Sequence, residues 1–201
     1  MSDDDDLLPA LRAAQDGDER GFATVWRALQ PAVLRYLRVV VGDAAEDVAS
    51  ETWLQAARDL HRFAGDVPAF RGWLFRIARH RGIDERRRAG RRVEEPAESA
   101  GQDGALRARD AAAEAIEGSD TRWALGLIAS LPTDQAEAVM LRVVAGLDVA
   151  TTAKVLGKRS GAVRVATMRG LRKLAAHPQV LARNAPVPGA APVDPALPEG
   201  V

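Results

Sequence analysis

"VAGLDVATTAKVLGKRSGAVRVATMRGLRKL", residues 144–174, contains two short helical patterns with a glycine between them. A helix-turn-helix needs a small residue where its helices touch, a turn glycine able to take positive φ, and an apolar residue facing back from the second helix. Ala153, Gly157 and Val163 meet these needs, at spacings of four and six residues. The sequence therefore predicts a helix-turn-helix. We expect its small core to be completed by Leu147, Val149, Val155, Leu156 and Leu171.

The second helix of this motif is predicted to expose cations and almost no acids. Ser160 is placed to cap it, and Asp148 is the one acid between Arg142 and Lys173. Such a helix suits the major groove of DNA, where arginine reads guanine and other cations hold phosphates. The alternative is an ordinary helical hairpin whose charged face is solvated. The charge pattern favours DNA binding over this alternative. The residues expected at this interface are Arg159, Ser160, Arg164, Thr167, Arg169, Arg172 and Lys173.

The formal net charge of zero conceals two basic blocks. Residues 61–92 hold ten arginines against three acids, and residues 142–173 hold eight Lys or Arg against one acid, so each block has a net charge of +7. Residues 93–120 lie between them with a net charge of −6. Local fields of this kind attract nucleic acid although the whole chain is neutral.

The composition excludes several classes of protein. The chain contains no cysteine, which excludes disulfides and thiolate metal sites and favours a cytoplasmic location. No apolar run reaches the roughly 18 residues of a membrane span, and the start is acidic where a signal peptide would be basic. His80 and Asp84 are four residues apart but lack a third metal ligand, and no Gly-rich phosphate loop occurs. We therefore expect no catalytic site, no metal and no cofactor.

Helical spacing of apolar residues recurs along residues 17–92, where strand patterns are almost absent. We expect a four-helix domain there. Pro31 is predicted to open the second helix at its first turn, and Asp43 to cap the third, with Glu46 completing a capping box. Residues 63–68 contain Gly and Pro and are predicted to form a loop before the last helix.

The last helix of this domain, predicted over residues 69–88, mixes aromatic residues with arginines. Such a mixture suits distorted or single-stranded DNA, where bases stack and phosphates need neutralising. The alternative is that the aromatic residues are core and the arginines are solvated. We assign Trp73 to the hydrophobic core and the arginines to DNA binding. The outer face is expected to present Arg76, Arg79, His80 and Arg87.

Four further segments complete the predicted organisation. Residues 1–16 form an acidic N-terminal segment whose aspartate run is expected to be solvated, and residues 93–120 form an acidic linker with a weak helical pattern. Residues 121–177 form a second helical domain, and residues 178–201 form a disordered Pro-rich tail. The predicted fold class is all-α, with two small helical domains joined by a flexible acidic linker.

Three stretches together resemble a known family: "DAAEDVASETWLQAARDL" at residues 43–60, "FRGWLFRIARHRGIDERRR" at residues 70–88, and "LPTDQAEAVMLRVVAGLDVATTAKVLGKRSGAVRVATMRGLRKL" at residues 131–174. They look like region 2 and region 4 of extracytoplasmic-function (ECF) sigma factors, the small sigma factors of bacterial RNA polymerase. The resemblance spans about residues 22–174 in the family's order. Ala136 departs from it, standing where many members have an arginine.

The resemblance implies roles for the matching positions. An acidic helix matches the one that docks on the clamp helices of the polymerase β′ subunit: Asp43, Glu46, Asp47 and Glu51. A loop and the helix after it match the segments that capture an unstacked base and contact the −10 element: Phe63, Gly65, Asp66, Arg71, Arg76, Arg79 and His80. The second helix of the helix-turn-helix matches the reader of the −35 element.

The partners that the resemblance implies are core RNA polymerase, through the β′ clamp helices and the β flap, and promoter DNA. Factors of this family are commonly held inactive by an anti-sigma protein, which is a further implied partner. No membrane insertion is expected. A stand-alone helix-turn-helix regulator remains an alternative, and it would bind its DNA site without polymerase. An adaptor whose basic faces bind an acidic protein is a third class.

Overall fold

The computed structural model describes residues 3–94 and 118–183. Its helices, in chain order, are α1 (Asp3–Gln15), α2 (Glu19–Val41), α3 (Ala45–Asp59), α4 (Val67–Glu94), α5 (Ser119–Ala129), α6 (Thr133–Val139), α7 (Val149–Leu156), α8 (Ser160–Ala175) and α9 (Pro178–Arg183). Short 3-10 turns, Gly42–Ala44 and Leu60–Arg62, flank α3, and a π-helical turn, Met140–Val144, extends α6. No strand occurs in these residues, so the predicted all-α class is confirmed. None of these helices combines the length and apolarity that a membrane crossing needs.

Helix α1 is an element that the sequence reasoning missed. The N-terminal segment, in which the sequence reasoning expected only a solvated run of aspartates, forms a helix that packs on α2 and buries Leu7, Leu11 and Ala14. Their spacing of four and three residues puts them on one helical face. Gly21 permits the close approach of the two helices, since a Cβ there would lie 2.7 Å from the carbonyl oxygen of Ala10.

Helix α2 is continuous across Pro31, which was predicted to begin a separate helix. Pro31 is exposed, so the carbonyl that loses its N–H partner one turn earlier can bond water instead. Apolar residues on both sides of the proline share one buried face, which holds the helix together: Val25, Leu29, Val33 and Leu37. As predicted, α2 ends at Gly42, whose φ of 63° suits glycine.

The start of α3 differs from the prediction. Asp43 lies in the 3-10 turn, and no side chain caps α3. Glu46 is paired instead with Arg38 of α2, with 3.8 Å between the charged atoms. The predicted capping box is therefore wrong. The tight turn already directs the chain into α3, because the N–H of Ala45 bonds the carbonyl of Gly42.

The loop before α4 is shorter than predicted, and α4 is longer. Asp66 caps the helix, since its Oδ1 accepts the N–H of Ala69 at 2.9 Å. The helix therefore begins at Val67 and runs to Glu94.

Helices α7 and α8 form the predicted helix-turn-helix. Ala153 is buried, Gly157 takes the left-handed conformation with φ of 64°, and Val163 is fully buried, so all three predictions are confirmed. Asp148 caps α7 by accepting the N–H groups of Ala150 and Thr151.

Two details of α8 differ from the prediction. Ser160 is its first residue and no side chain caps the helix. Leu171 is 43% exposed, outside the small core. The reason is that α8 turns Val163 and Gly170 inward, and a Cβ on Gly170 would lie 2.8 Å from Cγ2 of Val139.

The two domains share one continuous core. Helix α2 packs against α5 and α6, helix α4 packs against α7, and the buried apolar residues on both sides form a single cluster. Most of the predicted linker (residues 95–117) and of the tail (residues 184–201) lies outside the described residues. The first six residues of the tail, predicted to be disordered, instead form helix α9, whose Arg183 pairs with Asp120 at 2.7 Å.

We expect Gly21→Ala to lower the free energy of unfolding by about 1–3 kcal/mol, because the new methyl group would separate α1 from α2. Gly90→Ala is the matched control. Its Cβ would meet nothing within 4 Å, so only the helix propensity of α4 changes, and stability should rise by about 0.5–1 kcal/mol. Urea unfolding followed by circular dichroism measures both. Equal effects of the two substitutions would contradict the packing of α1.

Candidate DNA and polymerase interfaces

Helix α8 presents its cations to solvent. Ser160 and Thr167 are half-buried, and the hydroxyl of Thr167 donates to the carbonyl of Val163. No acidic residue lies on this helix, so all of its charged side chains are positive, which suits the groove of DNA. The exposed cations on or directly before the helix are Arg159, Arg164, Arg169, Arg172 and Lys173.

An apolar patch on α8 was missed by the sequence reasoning. Val165, Met168 and Leu171 are 41%, 45% and 43% exposed. Met168 and Leu171 line a shallow groove together with Val149 and with cationic residues that include Arg164. Exposed apolar surface edged by cations is typical of a protein interface. The regular spacing of these residues by three is the sequence signal that could have revealed the patch.

The four predicted polymerase contacts differ in their surroundings. Asp43 and Asp47 are exposed. Glu46 is held by its arginine partner on α2. Glu51 lies near two arginines of α4, at 3.7 Å and 3.8 Å: Arg81 and Arg88. Asp43 and Asp47 are therefore the carboxylates most accessible to a protein partner.

An exposed leucine lies beside this acidic stripe. Leu54 follows Asp47 and Glu51 at helical spacing, so the three share one face of α3, and Leu54 is 61% exposed. The sequence reasoning considered only the charges on this face. A large apolar side chain among carboxylates is the signal that could have added Leu54 to the candidate interface.

Aromatic packing holds the loop before α4. The ring of Phe63 lies 5.4 Å from Phe70 and 5.3 Å from Trp73, measured between centroids. The carbonyl of Phe63 accepts the side-chain amide of Gln15 at 2.6 Å, which ties the loop to α1. Gly65 is exposed, and a Cβ there would lie 2.9 Å from the Phe63 ring. With Asp66 already capping α4, the loop is preordered.

The four candidate DNA contacts on α4 do not share one environment. Arg76 and His80 are exposed, and Arg71 is half-buried. Arg79 is half-buried too, and its Nε lies 3.4 Å from Oε1 of Glu137 in α6. The predicted outer face is therefore divided, with Arg79 directed at the second domain.

Glu137 joins the two domains. Its side chain is 3% exposed, and its partners in the described residues come from the first domain. The hydroxyl of Tyr36 donates to Oε1 at 3.3 Å, and the guanidinium nitrogens of Arg79 and Arg86 lie 3.4 Å and 3.8 Å from the same oxygen. A buried carboxylate is costly unless it is paired and hydrogen-bonded, so these contacts specify how the domains fit.

Tyr36 is the only tyrosine of the chain, and it is fully buried with its ring edge-on to Phe75. Burial, and after it the negative charge of Glu137, raises the pKa of Tyr36 well above 10.0, because both disfavour the phenolate. The positive charges of Arg79 and Arg86 act in the opposite direction.

Comparison with known proteins identifies both domains. The family model for Sigma-70 region 2 matches residues 25–92, and that for Sigma-70, region 4 matches residues 121–174. The ECF RNA polymerase sigma factor SigD of Mycobacterium tuberculosis is 36% identical over 176 residues, which cover 84% of this chain and 82% of SigD. ShbA of Streptomyces griseus, also an ECF sigma factor, is 33% identical over 196 residues, which cover 88% of this chain and 98% of ShbA. This chain belongs to the ECF RNA polymerase sigma factors.

Solved structures share the fold of this sigma factor. CnrH, solved in complex with the cytosolic domain of CnrY, gives a TM-score of 0.58 at 23% identity, covering 88% of this chain and 97% of that chain. The sigma factor RpoE of Bartonella quintana, solved with the anti-sigma factor NepR, gives a TM-score of 0.60 at 20% identity, covering 81% and 98%. At these identities the likeness supports the helical fold alone.

As a sigma factor, the protein has core RNA polymerase as its partner and takes part in transcription initiation, with DNA binding through the helix-turn-helix of region 4. The matches favour this function over the stand-alone regulator. Within residues 3–94 and 118–183, no group of three or more His, Asp or Glu side chains is placed to hold a metal ion.

We expect Tyr36 to titrate at higher pH in the folded sigma factor than in the denatured chain, since its folded pKa lies above 10.0. The native state therefore keeps a proton that the unfolded state loses. The associated stability is fully present below pH of about 10 and is lost as the pH rises towards the folded pKa. Tyrosinate absorbance, which reports Tyr36 alone, measures both titrations. Coincident curves would contradict the buried position of this side chain.

Proposed function

We propose that this sigma factor acts in the cytoplasm, without chemistry of its own, by binding two promoter elements and core polymerase at once. The domain of residues 17–92 docks on the β′ clamp helices through the acidic stripe of Asp43, Glu46, Asp47 and Glu51. The domain of residues 121–177 reads the −35 element with α8 and meets the β flap.

We also propose that the first domain binds the −10 element. The preordered loop offers Phe63, Gly65 and Asp66 to an unstacked base. The first half of α4 then offers arginines, with a histidine beside them, to the nearby phosphates: Arg71, Arg76, Arg79 and His80.

The strongest support for the proposal is the geometry and charge of helix α8. Helix α8 follows a turn whose glycine has φ of 64°, and every charged side chain on it is a cation. This is the geometry with which a recognition helix enters the major groove. The base readers are expected at the exposed Arg164 and Arg169, and the phosphate contacts at Arg159, Arg172 and Lys173.

An anti-sigma protein is the third partner that we propose, beside core polymerase and promoter DNA. CnrH and RpoE were solved with CnrY and with the anti-sigma factor NepR, respectively. The exposed apolar patch of Val165, Met168 and Leu171 would suit such a protein.

Run-off transcription tests the proposed function. Core bacterial RNA polymerase is given a fragmented genomic library of the host, with and without this protein. Discrete starts that require the protein and share two spaced upstream elements are the expected result. A DNA site protected by the protein alone, with no starts, would favour the stand-alone regulator.

We expect Arg164→Ala and Arg169→Ala each to weaken binding of the assembled polymerase to promoters that depend on the −35 element, because each removes about 1–3 kcal/mol of base discrimination. Arg27→Ala is the control, since Arg27 is an exposed cation on α2. Filter binding of the assembled polymerase to duplexes mutated in the −35 element measures the change. If both variants discriminate between −35 sequences as the wild type does, α8 is not the helix that reads the −35 element.

We expect Asp47→Ala to weaken the affinity for core polymerase by more than about 1 kcal/mol, with a smaller salt dependence, because it removes an exposed carboxylate of the acidic stripe. Asp16→Ala, an exposed aspartate after α1, is the matched control. Titration of labelled protein with core enzyme measures both. An unchanged affinity of Asp47→Ala for core polymerase would contradict the assignment of α3 as the helix that docks on the polymerase.

A further inference from the structure

The loop that we assign to the −10 base is fixed at both of its ends. At one end, the N–H of Phe63 donates to the carbonyl of Leu60 at 3.0 Å. At the other end, Asp66 caps helix α4. Between them, the ring of Phe63 packs against Phe70 and Trp73. The carbonyl of Phe63 still needs a partner, because no backbone N–H of the described residues bonds it.

A side chain of α1 bonds this carbonyl. Nε2 of Gln15 lies 2.6 Å from the carbonyl oxygen of Phe63, at a partly buried position, although the two residues are 48 positions apart in the chain. A carbonyl oxygen accepts and never donates, so it is the nitrogen of the amide that must face it. The bond therefore fixes the backbone of the residue whose ring the loop offers to a base.

Gln15 is itself held in place. It is the last residue of α1 and follows Ala14, which is 8% exposed. Beyond it, the N–H of Gly17 bonds the carbonyl of Ala14 at 3.2 Å, and the N–H of Asp18 bonds the carbonyl of Ala13 at 2.9 Å. Gly17 takes φ of 92°, a value that suits glycine. The end of α1 is therefore closed, and the amide acts from a fixed point.

Helix α1 also packs against the elements on both sides of the loop. It contacts α4, which follows the loop, and the 3-10 turn, Leu60–Arg62, which precedes it. The family model for region 2 begins at residue 25, so α1 lies outside the matched residues. The support for the loop thus comes from a part of the chain that the family match does not cover.

A loop that is already ordered captures a base more tightly than one that must become ordered. Taking a base out of the duplex is unfavourable, and contacts in the pocket have to offset this cost. Each residue that becomes ordered only on binding reduces the net gain from those contacts. Freeing one residue of the loop is therefore expected to weaken capture about tenfold.

We propose that Gln15 is a positioning residue for promoter opening. Its amide fixes the Phe63 carbonyl, so the loop has its binding conformation before the −10 base leaves the duplex. Gln15 touches no DNA in this role. Its part in base capture rests on the proposed function, whereas the hydrogen bond and the order of the loop do not.

Amide hydrogen exchange tests the order of the loop in the full-length protein without polymerase. Gln15→Met keeps the length and the helix preference of the side chain and removes its N–H donors. We expect the bonded amides of Phe63 and Ala69, which flank the loop, to exchange about tenfold faster in this variant. Asp16→Ala, at an exposed neighbouring position, is the matched control and should leave both rates unchanged.

Two further measurements show whether the effect belongs to the hydrogen bond. Gln15→Lys restores an N–H donor and should recover the wild-type rates at Phe63 and Ala69. The amides of Leu74 and Phe75, in the buried part of α4, should keep their rates in Gln15→Met. Equal exchange at the loop in the wild type and Gln15→Met, or faster exchange throughout α4, would overturn the proposal.

Promoter opening tests the part that Gln15 plays in base capture. A fluorescent adenine analogue is placed in the −10 element of a promoter found by run-off transcription, and its unstacking by the assembled polymerase is followed. Gln15→Met should lower the equilibrium constant for opening about tenfold. The defect should shrink on a promoter already unpaired over the −10 element, because the cost of unpairing is then absent. An equal defect on both templates would overturn the positioning role.

The outcomes separate this inference from the proposed function. If the wild-type protein gives no protein-dependent starts, the proposed function is refuted, and with it the part of Gln15 in base capture. If starts depend on the protein and Gln15→Met opens the promoter as the wild type does, the role of Gln15 alone is refuted.

Discussion

A single buried carboxylate decides how this molecule is assembled. Glu137 lies on the second domain, and Tyr36, Arg79 and Arg86 approach it from the first. Removing one member of such a buried group typically costs about 3–5 kcal/mol, because an unpaired charge stays behind. The apolar core runs through both domains without interruption. The hydrophobic contacts therefore favour association, and the carboxylate determines which association forms.

Ion pairs within the protein account for part of the positive charge of the first basic block, residues 61–92. The net charge of residues 61–92 suggested a broad cationic surface for DNA. In the structure, several of these arginines have acidic partners within the protein: Arg79, Arg81, Arg86, Arg87 and Arg88. Part of the positive charge thus supports the contacts among helices. An arginine whose glutamate partner is exposed remains accessible to a DNA phosphate. Arg79 is less accessible, because its glutamate partner is also bound by a buried tyrosine.

The N-terminal helix shows why composition can mislead. Aspartates dominate the first residues, and a charged run is usually solvated. Only three apolar residues of this helix are buried: Leu7, Leu11 and Ala14. They are buried because Gly21, which has no side chain, lets α1 pack closely against α2. Through Gln15, the helix also supports the loop at Phe63. An element outside the matched region thereby helps to order a candidate DNA contact.

The sequence by itself determined the helical class, the helix-turn-helix and the family. Ala153, Gly157 and Val163 act within a few residues of one another, so steric rules for a turn and two short helices are sufficient to predict them. Only the tertiary structure decided the environments of Arg79, Glu137 and Tyr36. The last two are 101 residues apart in the chain. Helical periodicity tells which side of a helix is buried but not which distant helix will cover it, and the partner of a charge depends on that distant helix.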